Sequence, residues 1–538
     1  MSEQELKLHV PQQSRDKIKA ALSNAESITL RAMYFDTTDR QLAKAKAAIR
    51  LRQEGEDWVQ TLKMAGSHSL SRIELNHHRP GPVLDLSLYA GTEAEPLLTK
   101  LTKPLELRYE TDVTRLFKKQ RTRKGTVEIA FDTGVVRAGR FELPIHEVEF
   151  ELVSGSAEAI FDLGLRWLND YQLILDMRTK AHRGDALANM ATKINEADET
   201  TQLMVESQET SRFWAERKAQ SYSLFKQLSA TQALCRLTEE CVEQISLNAA
   251  YLAEVDTAGV MTVAKPEHVH QLRIGMRRLV SNWKLLGKHA HLPDETLREQ
   301  LKTFLADFGA TRDTDVMLAT ILPLLSKAGM PAIEIDHYQG RSATDIARTP
   351  AFQTFLVQLL AWIATAPTQD PVSEEIAPEE NNPSVEDMPI ASELATTDEL
   401  NIIPLIPSAP VPSLRKILEK RLSKWNKEIV THWKYHDKND IEAYHDVRKK
   451  IKRMRYGLNV YEALEPQANL NNYIKRLAKA QEVFGELNDY ASALDYFEGL
   501  TATHPQAWFA VGWLSAQLKR LKRDTDVALK ALPSKIDY

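Results

Sequence analysis

His146-Glu147-Val148-Glu149-Phe150-Glu151-Leu152 alternates charge with bulk without a break. Successive side chains of a strand point to opposite faces, so Val148, Phe150 and Leu152 go to a core while Glu147, Glu149 and Glu151 stand in a row. Three carboxylates on one face repel one another unless a cation or basic side chains neutralise them. A solvated outer face is the ordinary explanation of one such strand. That explanation weakens when the pattern recurs.

It recurs throughout the first 150 residues, with the signs segregated strand by strand. Glu3, Glu5 and Lys7 share a face opposite Leu6 and Leu8. Arg50 and Arg52 lie opposite Ile49 and Leu51, and after a turn at Glu54-Gly55-Glu56-Asp57 a return strand puts Thr61 with Lys63. Arg72 then pairs with Glu74 on one face, and Glu128 with Asp132 beside Val127, Ile129 and Phe131. Clustered hard oxygen ligands suit Mg2+ or Mn2+, and Arg and Lys donors suit phosphate. Acidic strands for metal and basic strands for phosphate make one polyphosphate site if the strands close around a common lumen.

Farther along, the pattern changes to helical. At ~100° per residue, His270, Arg273, Arg277, Lys284 and Lys288 fall on one side, with Leu272, Met276, Leu279, Trp283 and Leu286 on the other. His445, Arg448, Lys452 and Arg455 likewise oppose Val447, Ile451, Met454, Leu458 and Tyr461. The apolar sets have the spacing of a bundle seam. The basic stripes lack interleaved acids and are explained by an anionic partner. The two regions also repeat: His270-Gln-Leu-Arg273 to Arg277-Arg278 aligns with His445-Asp-Val-Arg448 to Lys452-Arg453, and Phe308-Gly309 to Arg312-Asp313 with Phe484-Gly485 to Asn488-Asp489. Two matching blocks in the same order indicate duplicated bundles.

Between them, residues 366–412 are acidic and proline-rich, and no Lys or Arg occurs between Arg348 and Arg415. Such a composition buries too little apolar surface to order itself and reads as a flexible, disordered linker. With 538 residues, 43% hydrophobic and 27% charged, the chain is expected to hold two or three globular domains, and its net charge of −5 conceals the uneven distribution. The two cysteines, Cys235 and Cys241, have neither disulfide-framework nor zinc spacing. No apolar run approaches a membrane span and no secretory signal is visible, so a cytoplasmic protein is expected.

Glu3-Gln-Glu5-Leu-Lys7 resembles the ExExK signature of the CYTH superfamily, the triphosphate tunnel metalloenzymes. Arg50-Leu-Arg52, Gln60-Thr-Leu-Lys63, Ser71-Arg72-Ile-Glu74, the strands at 127–134 and 146–152, and Thr179-Lys180-Ala-His-Arg183-Gly184 resemble the family's later elements in order. The resemblance implies that Glu3, Glu5, Glu149 and Glu151 ligate Mg2+ or Mn2+ with Glu147 and Asp132 close by. It implies that Arg50, Arg52, Lys63, Arg72, Arg115, Lys180 and Arg183 hold phosphate oxygens and that Lys7 acts on the phosphates, with Glu3, Glu5 and Lys7 as the catalytic signature.

The helical part resembles the CHAD domain, through His270-x-x-Arg273-x-x-x-Arg277-Arg278 and Arg312-Asp313-x-Asp315, with Lys452 and Asn488 departing in the second half. That resemblance implies a basic channel for inorganic polyphosphate, formed by His270, Arg273, Arg277, Arg278, Lys284, His445, Arg448, Lys452, Arg453 and Arg455.

The expected architecture is multidomain α+β: a closed antiparallel eight-stranded β-barrel with flanking helices over 1–205, then an all-α part of two pseudo-twofold four-helix bundles, 215–365 and 413–538. The expected function is a metal-dependent inorganic triphosphatase, cleaving tripolyphosphate to pyrophosphate and phosphate, that also binds polyphosphate and associates with polyphosphate granules. The alternatives are a thiamine or nucleoside triphosphatase, an adenylate cyclase, or a polyphosphate-binding localisation protein; a nucleic-acid partner is not expected.

Overall fold

Nine strands form one antiparallel sheet among the described residues: β1 (Ser2–His9), β2 (Glu26–Asp36), β3 (Ala47–Glu54), β4 (Asp57–Ala65), β5 (Ser71–Arg79), β6 (Glu106–Arg121), β7 (Gly125–Ala138), β8 (Phe141–Gly155) and β9 (Ile174–Leu175). The computed structural model describes residues 2–66, 71–257, 265–333, 340–367, 370–371, 412–435, 437 and 440–538. The side chains of Ser2, Glu3, Arg72, 312–315 and Ala468 are outside that description.

The strand order is β5-β4-β3-β2-β6-β7-β8-β1-β9, and a further pairing joins β1 back to β5, with Glu3 opposite Arg72. The expected eight strands are therefore nine. The first half of β1 pairs with β5, which leaves the edge at Leu8 and His9 open for the two-residue β9.

Alternation sorts the faces as the sequence implied. Leu6, Leu8, Val127, Ile129, Phe131, Val148 and Phe150 pack in one apolar cluster with Ile160, Leu163, Trp167 and Leu168 of α1 (Glu158–Tyr171). The opposite face is divided along its length. At one end it is apolar, and α2 (Lys180–Asn195) covers Tyr109, Val113, Val136, Leu143 and Ile145 with Leu187, Ala188 and Ala191. The approach is close: a Cβ on Gly184 would sit 2.1 Å from the Tyr109 ring. At the other end the same strands carry Arg115, Asp132 and Glu147, and Lys180, the first residue of α2, faces them.

The rest is helical: α3 (Ala230–Leu252), α4 (Lys265–Leu286), α5 (Glu295–Val316), α6 (Pro350–Thr365), α7 (Leu414–Tyr435), α8 (Ile441–Leu464), α9 (Ala468–Leu500) and α10 (Ala507–Lys530). Four of these precede the acidic segment and four follow it, and the two sets meet where α4 packs on α7 and α8. The apolar stripes are core: Leu272, Met276, Leu279, Val447, Ile451, Met454 and Leu458 are all fully buried.

Sheet and helices share one apolar cluster, from Leu6 and Trp167 through Leu234 and Leu272 to Leu477. At the joint, the buried Leu175 amide donates to Gln353 Oε1 at 2.8 Å. Most of the predicted linker, 372–411, lies outside the described residues. Its beginning has a fixed place: Asp370 accepts from the Ala230 and Thr231 amides at 2.9 and 2.7 Å, satisfying donors at the start of α3. Cys241 is buried against Tyr222 and Asn282, and burial raises its thiol to about 11.

Candidate active site

The charged end of the face that α2 packs on is built by register. Neighbouring strands place directly opposed residues on one face, and β1, β8 and β7 align Glu5 with Glu151 and Glu151 with Glu128. Two residues along, Lys7 opposes Glu149, and then Glu147 opposes both His9 and Asp132. Glu128 was visible in the alternation but not selected as a ligand; its place beside Glu151 is a matter of pairing.

Three of these acids converge. Asp132, Glu147 and Glu149 offer carboxylate oxygens within 4.8 Å of one another. Lys180 Nζ sits among them, 2.6 Å from Asp132, 2.5 Å from Glu147 and 2.8 Å from Glu149. Arg115 holds Asp132 through Nε at 2.7 Å and reaches Glu149 at 2.5 Å. Burial opposes the Lys180 charge, but the three carboxylates win and hold its pKa well above the ordinary lysine value. Burial likewise opposes ionisation of Glu149, yet Lys180 and Arg115 hold it well below the carboxylate range.

On the same face of the sheet the basic strands contribute a second group. Arg50 donates to the Tyr34 hydroxyl at 3.3 Å and lies 4.0 Å from Glu74, to which Lys63 is paired at 2.7 Å. Arg52 is paired with Glu54, but burial and the neighbouring Arg50 outweigh that acid and lower its pKa. Arg115 adds to the same repulsion, so Arg50, Arg52 and Arg115 bear on one region. Against burial, Tyr34 and Glu74 hold Arg50 above its ordinary value, and Glu149 and Asp132 hold Arg115 well above; of the three Arg52 alone is lowered, and an anion would stabilise it.

Lys7 is buried, donates to the Arg178 carbonyl and lies 3.8 Å from Glu147. Arg183 departs from expectation. It is 3% exposed and is held by Asp256 at 2.9 Å, by Glu147 at 3.6 Å and by the Pro144 carbonyl, in the joint with the helices rather than beside Arg50 and Arg52. The side chains of Glu3 and Arg72 lie outside the described residues. An all-oxygen set such as Asp132, Glu147 and Glu149 fits a hard divalent cation such as Mg2+ or Mn2+.

The two basic stripes of the helical part face each other. Arg273 and Arg277 on α4 and Arg448 and Lys452 on α8 surround one region, where burial followed by Arg448 and Arg277 lowers Lys452 to about 6. Arg273 donates to the Leu305 carbonyl at 2.8 Å, and the buried Nε atoms of Arg277 and Arg455 find no hydrogen-bond partner among the described residues. Lys284 is lowered by burial and by Arg453, Lys302 and Lys449. His445 Nδ1 lies 2.6 Å from Asn488 Oδ1, which joins the two repeat blocks in space. His270 sits on the corresponding face of α4, while the side chains of Arg312 and Asp313 are outside the described residues.

Arg278 and Arg453 do not join this seam. Arg278 stacks 4.5 Å over the Tyr222 ring, with Gln244 at 2.7 Å and Glu240 at 3.5 Å. Its repeat counterpart Arg453 stacks 4.5 Å over Trp425, with Glu428 at 2.6 Å. One residue of rotation, ~100°, takes each off the basic stripe and onto an aromatic ring.

Among curated proteins, an inorganic triphosphatase of Haemophilus influenzae is 30% identical over 176 residues, covering 32% of this chain and 49% of the relative. The chain therefore spans about half the length of that relative. Among solved structures, the CHAD domain of the plant Ricinus communis is 23% identical with a TM-score of 0.42, covering 60% of this chain and 99% of that one. A protein of Pyrococcus horikoshii OT3 is 19% identical with a TM-score of 0.23, covering 34% and 96%. The family matches divide the chain as the two sites do: residues 1–184 are a CYTH domain and residues 246–498 are a CHAD domain.

Proposed function

We propose that this chain is a metal-dependent inorganic triphosphatase that hydrolyses tripolyphosphate to pyrophosphate and phosphate on the inner face of its sheet. The observation that carries the reading is the meeting of two groups: the acids Asp132, Glu147 and Glu149, bridged by Lys180 and Arg115, and the cations Arg50 and Arg52 of β3, close enough to feel Arg115. A linear triphosphate satisfies the cations, and a divalent metal satisfies the acids. The β1–β5 pairing brings the sheet's edges together, which supports a tunnel around the substrate.

Arg50, Arg52, Lys63 and Arg115 bind phosphate oxygens in this reading, with Arg72 as a further phosphate contact and Glu3 as a further metal ligand from the family pattern. Lys7 and Lys180 stand between the acids and the phosphates and offset charge that accumulates on the leaving group. Glu5, Glu151, Asp132, Glu147 and Glu149 would hold Mg2+ or Mn2+, which supplies charge neutralisation and a water of lowered pKa. Apart from the metal, catalysis rests on positioning and electrostatics.

The facing stripes of α4 and α8 are proposed to bind longer inorganic polyphosphate, with Arg273, Arg277, Arg448, Lys452 and Arg455 as contacts and His270, His445 and Lys284 at the margins. The duplicated helical halves are proposed to be related by a twofold. No described helix is long and apolar enough to cross a membrane; a cytoplasmic location at polyphosphate granules is part of the proposal.

The test is phosphate release by the full chain from tripolyphosphate, ATP and thiamine triphosphate, with Mg2+ or Mn2+, across neutral to alkaline pH. Turnover fastest on tripolyphosphate and abolished by chelation is expected. No release from tripolyphosphate with either metal overturns the reading.

A further inference from the structure

Arg183 and Arg178 belong to the CYTH domain, yet both are held by a carboxylate from beyond it. Asp256 lies in the turn after α3, with its side chain 1% exposed, 2.9 Å from Arg183 and 3.2 Å from Arg178. The turn is over-determined. Asp256 takes a left-handed φ of 62° and Glu254 one of 64°, a conformation that costs a non-glycine residue energy and persists only when its surroundings impose it. Here the Val255 amide donates to the Ala250 carbonyl at 2.9 Å, Lys265 holds Glu254 at 2.8 Å, and Arg348 Nε donates to the Ala253 carbonyl at 3.0 Å.

The contacts continue from Asp256 into the acid cluster. Arg183 lies 3.6 Å from one oxygen of Glu147, whose other oxygen is 2.5 Å from Lys180. Arg178 is anchored by Asp176 at 2.8 Å and stacks 4.9 Å over Tyr251, and its carbonyl accepts from Lys7. Arg178 keeps Asp176 if Asp256 is neutralised. Among the described residues Arg183 then keeps only Glu147 as an ion-pair partner, so its guanidinium is expected to draw that carboxylate away from the other two acids.

We propose that Asp256 is a positioning residue: by engaging Arg183 and Arg178 it leaves Glu147 free to act with Asp132 and Glu149 as a cation site, and so makes that site depend on the helical part of the chain. The proposal rests on the triphosphatase reading for its consequence in turnover, but its own content is the state of the acid cluster.

The experiment uses the full chain without substrate. Binding of Mn2+ is followed by electron paramagnetic resonance of the free ion for the wild type, Asp256→Asn, Asp256→Glu, and Asp256→Asn combined with Arg183→Gln, with a thermal midpoint for each. Outer partners of metal ligands change affinity by ~10–100-fold. Asp256→Asn is expected to weaken Mn2+ binding at least ~10-fold, and adding Arg183→Gln to recover most of the loss, because the liberated guanidinium is gone. A merely structural role would lower the midpoint in both variants and give no recovery.

If Asp256→Asn does not fold, Asp256→Glu retains the buried charge one methylene farther out and is expected to weaken Mn2+ binding measurably. Binding equal to the wild type in the folded variant, or a wild type that does not take up Mn2+, overturns the proposal. A wild type that binds Mn2+ and releases no phosphate from tripolyphosphate overturns the reaction while leaving the role of Asp256 intact.

Discussion

Lys180 Nζ lies 2.5 Å from Oε1 of Glu147, so the lysine that opens α2 occupies the space where three carboxylates would enclose a cation. The ammonium and a divalent metal, if one binds as proposed, would compete for the same oxygens. The lysine offsets the mutual repulsion of the three acids in the free chain and, with Arg115, holds Glu149 well below the carboxylate range; under the proposed function a triphosphate would offer it an alternative partner.

Lys180→Met therefore separates two properties. Without its competitor, Mn2+ is expected to bind the substrate-free variant more tightly, by ~10-fold, while tripolyphosphate turnover falls ~100-fold or more with loss of a fixed donor. A Mn2+ titration and steady-state phosphate release measure the two. Weaker Mn2+ binding in the variant would show that Lys180 supports the acid cluster rather than competing with it.

Adjacent arginines should behave oppositely. Arg277 faces the seam with an Nε that finds no hydrogen-bond partner among the described residues, whereas Arg278 is buried against Tyr222 and Glu240. Arg277→Gln is expected to weaken polyphosphate binding ~10-fold and flatten its salt dependence, with little change in the urea midpoint. Arg278→Met leaves affinity within ~2-fold but lowers the urea midpoint, because Glu240 loses a buried partner. Fluorescence anisotropy with labelled polyphosphate and urea titration distinguish the pair.

The distinction between Arg277 and Arg278 also shows where sequence reading stopped. Period-two alternation fixed the faces of β1, β7 and β8, since a one-residue slip would put Phe150 among the carboxylates. It could not show that Tyr109, Val113, Val136 and Ile145, on the same faces as the charged residues, are covered by α2. Neither local pattern nor charge marks a sheet face as half apolar. On α4 and α8 two consecutive basic residues look alike in composition, and only Tyr222 and Trp425, brought in by other segments, tell them apart. Asp256 is farther out of reach, being 78 residues from Arg178 and part of no period.

The joint around Asp256 should be sensitive to acid. Burial, against the pull of Asp256 and Asp176, lowers His9 from 6.5 to about 4, and burial with Arg15 does the same for His146. The unfolded chain then binds more protons than the folded one between pH 6.5 and about 4, so stability falls as pH drops through that window. The thermal midpoint is expected to decline there, and His9→Asn to reduce the slope. An equal slope in the variant would assign the decline to His146 or to the carboxylates instead.

Lys452 gives a slope of the same sign, at higher pH. Folding lowers it from 10.5 to about 6, so between those values the unfolded chain binds the extra proton and the stability of the free chain rises with pH. A polyanion in the seam favours the charged form and draws a proton onto Lys452. At pH 8, calorimetry in buffers of different ionisation enthalpy is expected to show uptake approaching one proton per chain on polyphosphate binding, with affinity declining as pH rises further. Lys452→Met should abolish the uptake and retain weaker binding through Arg273, Arg277 and Arg448. Binding enthalpy independent of the buffer in the wild type would mean that polyphosphate does not enter the space between α4 and α8.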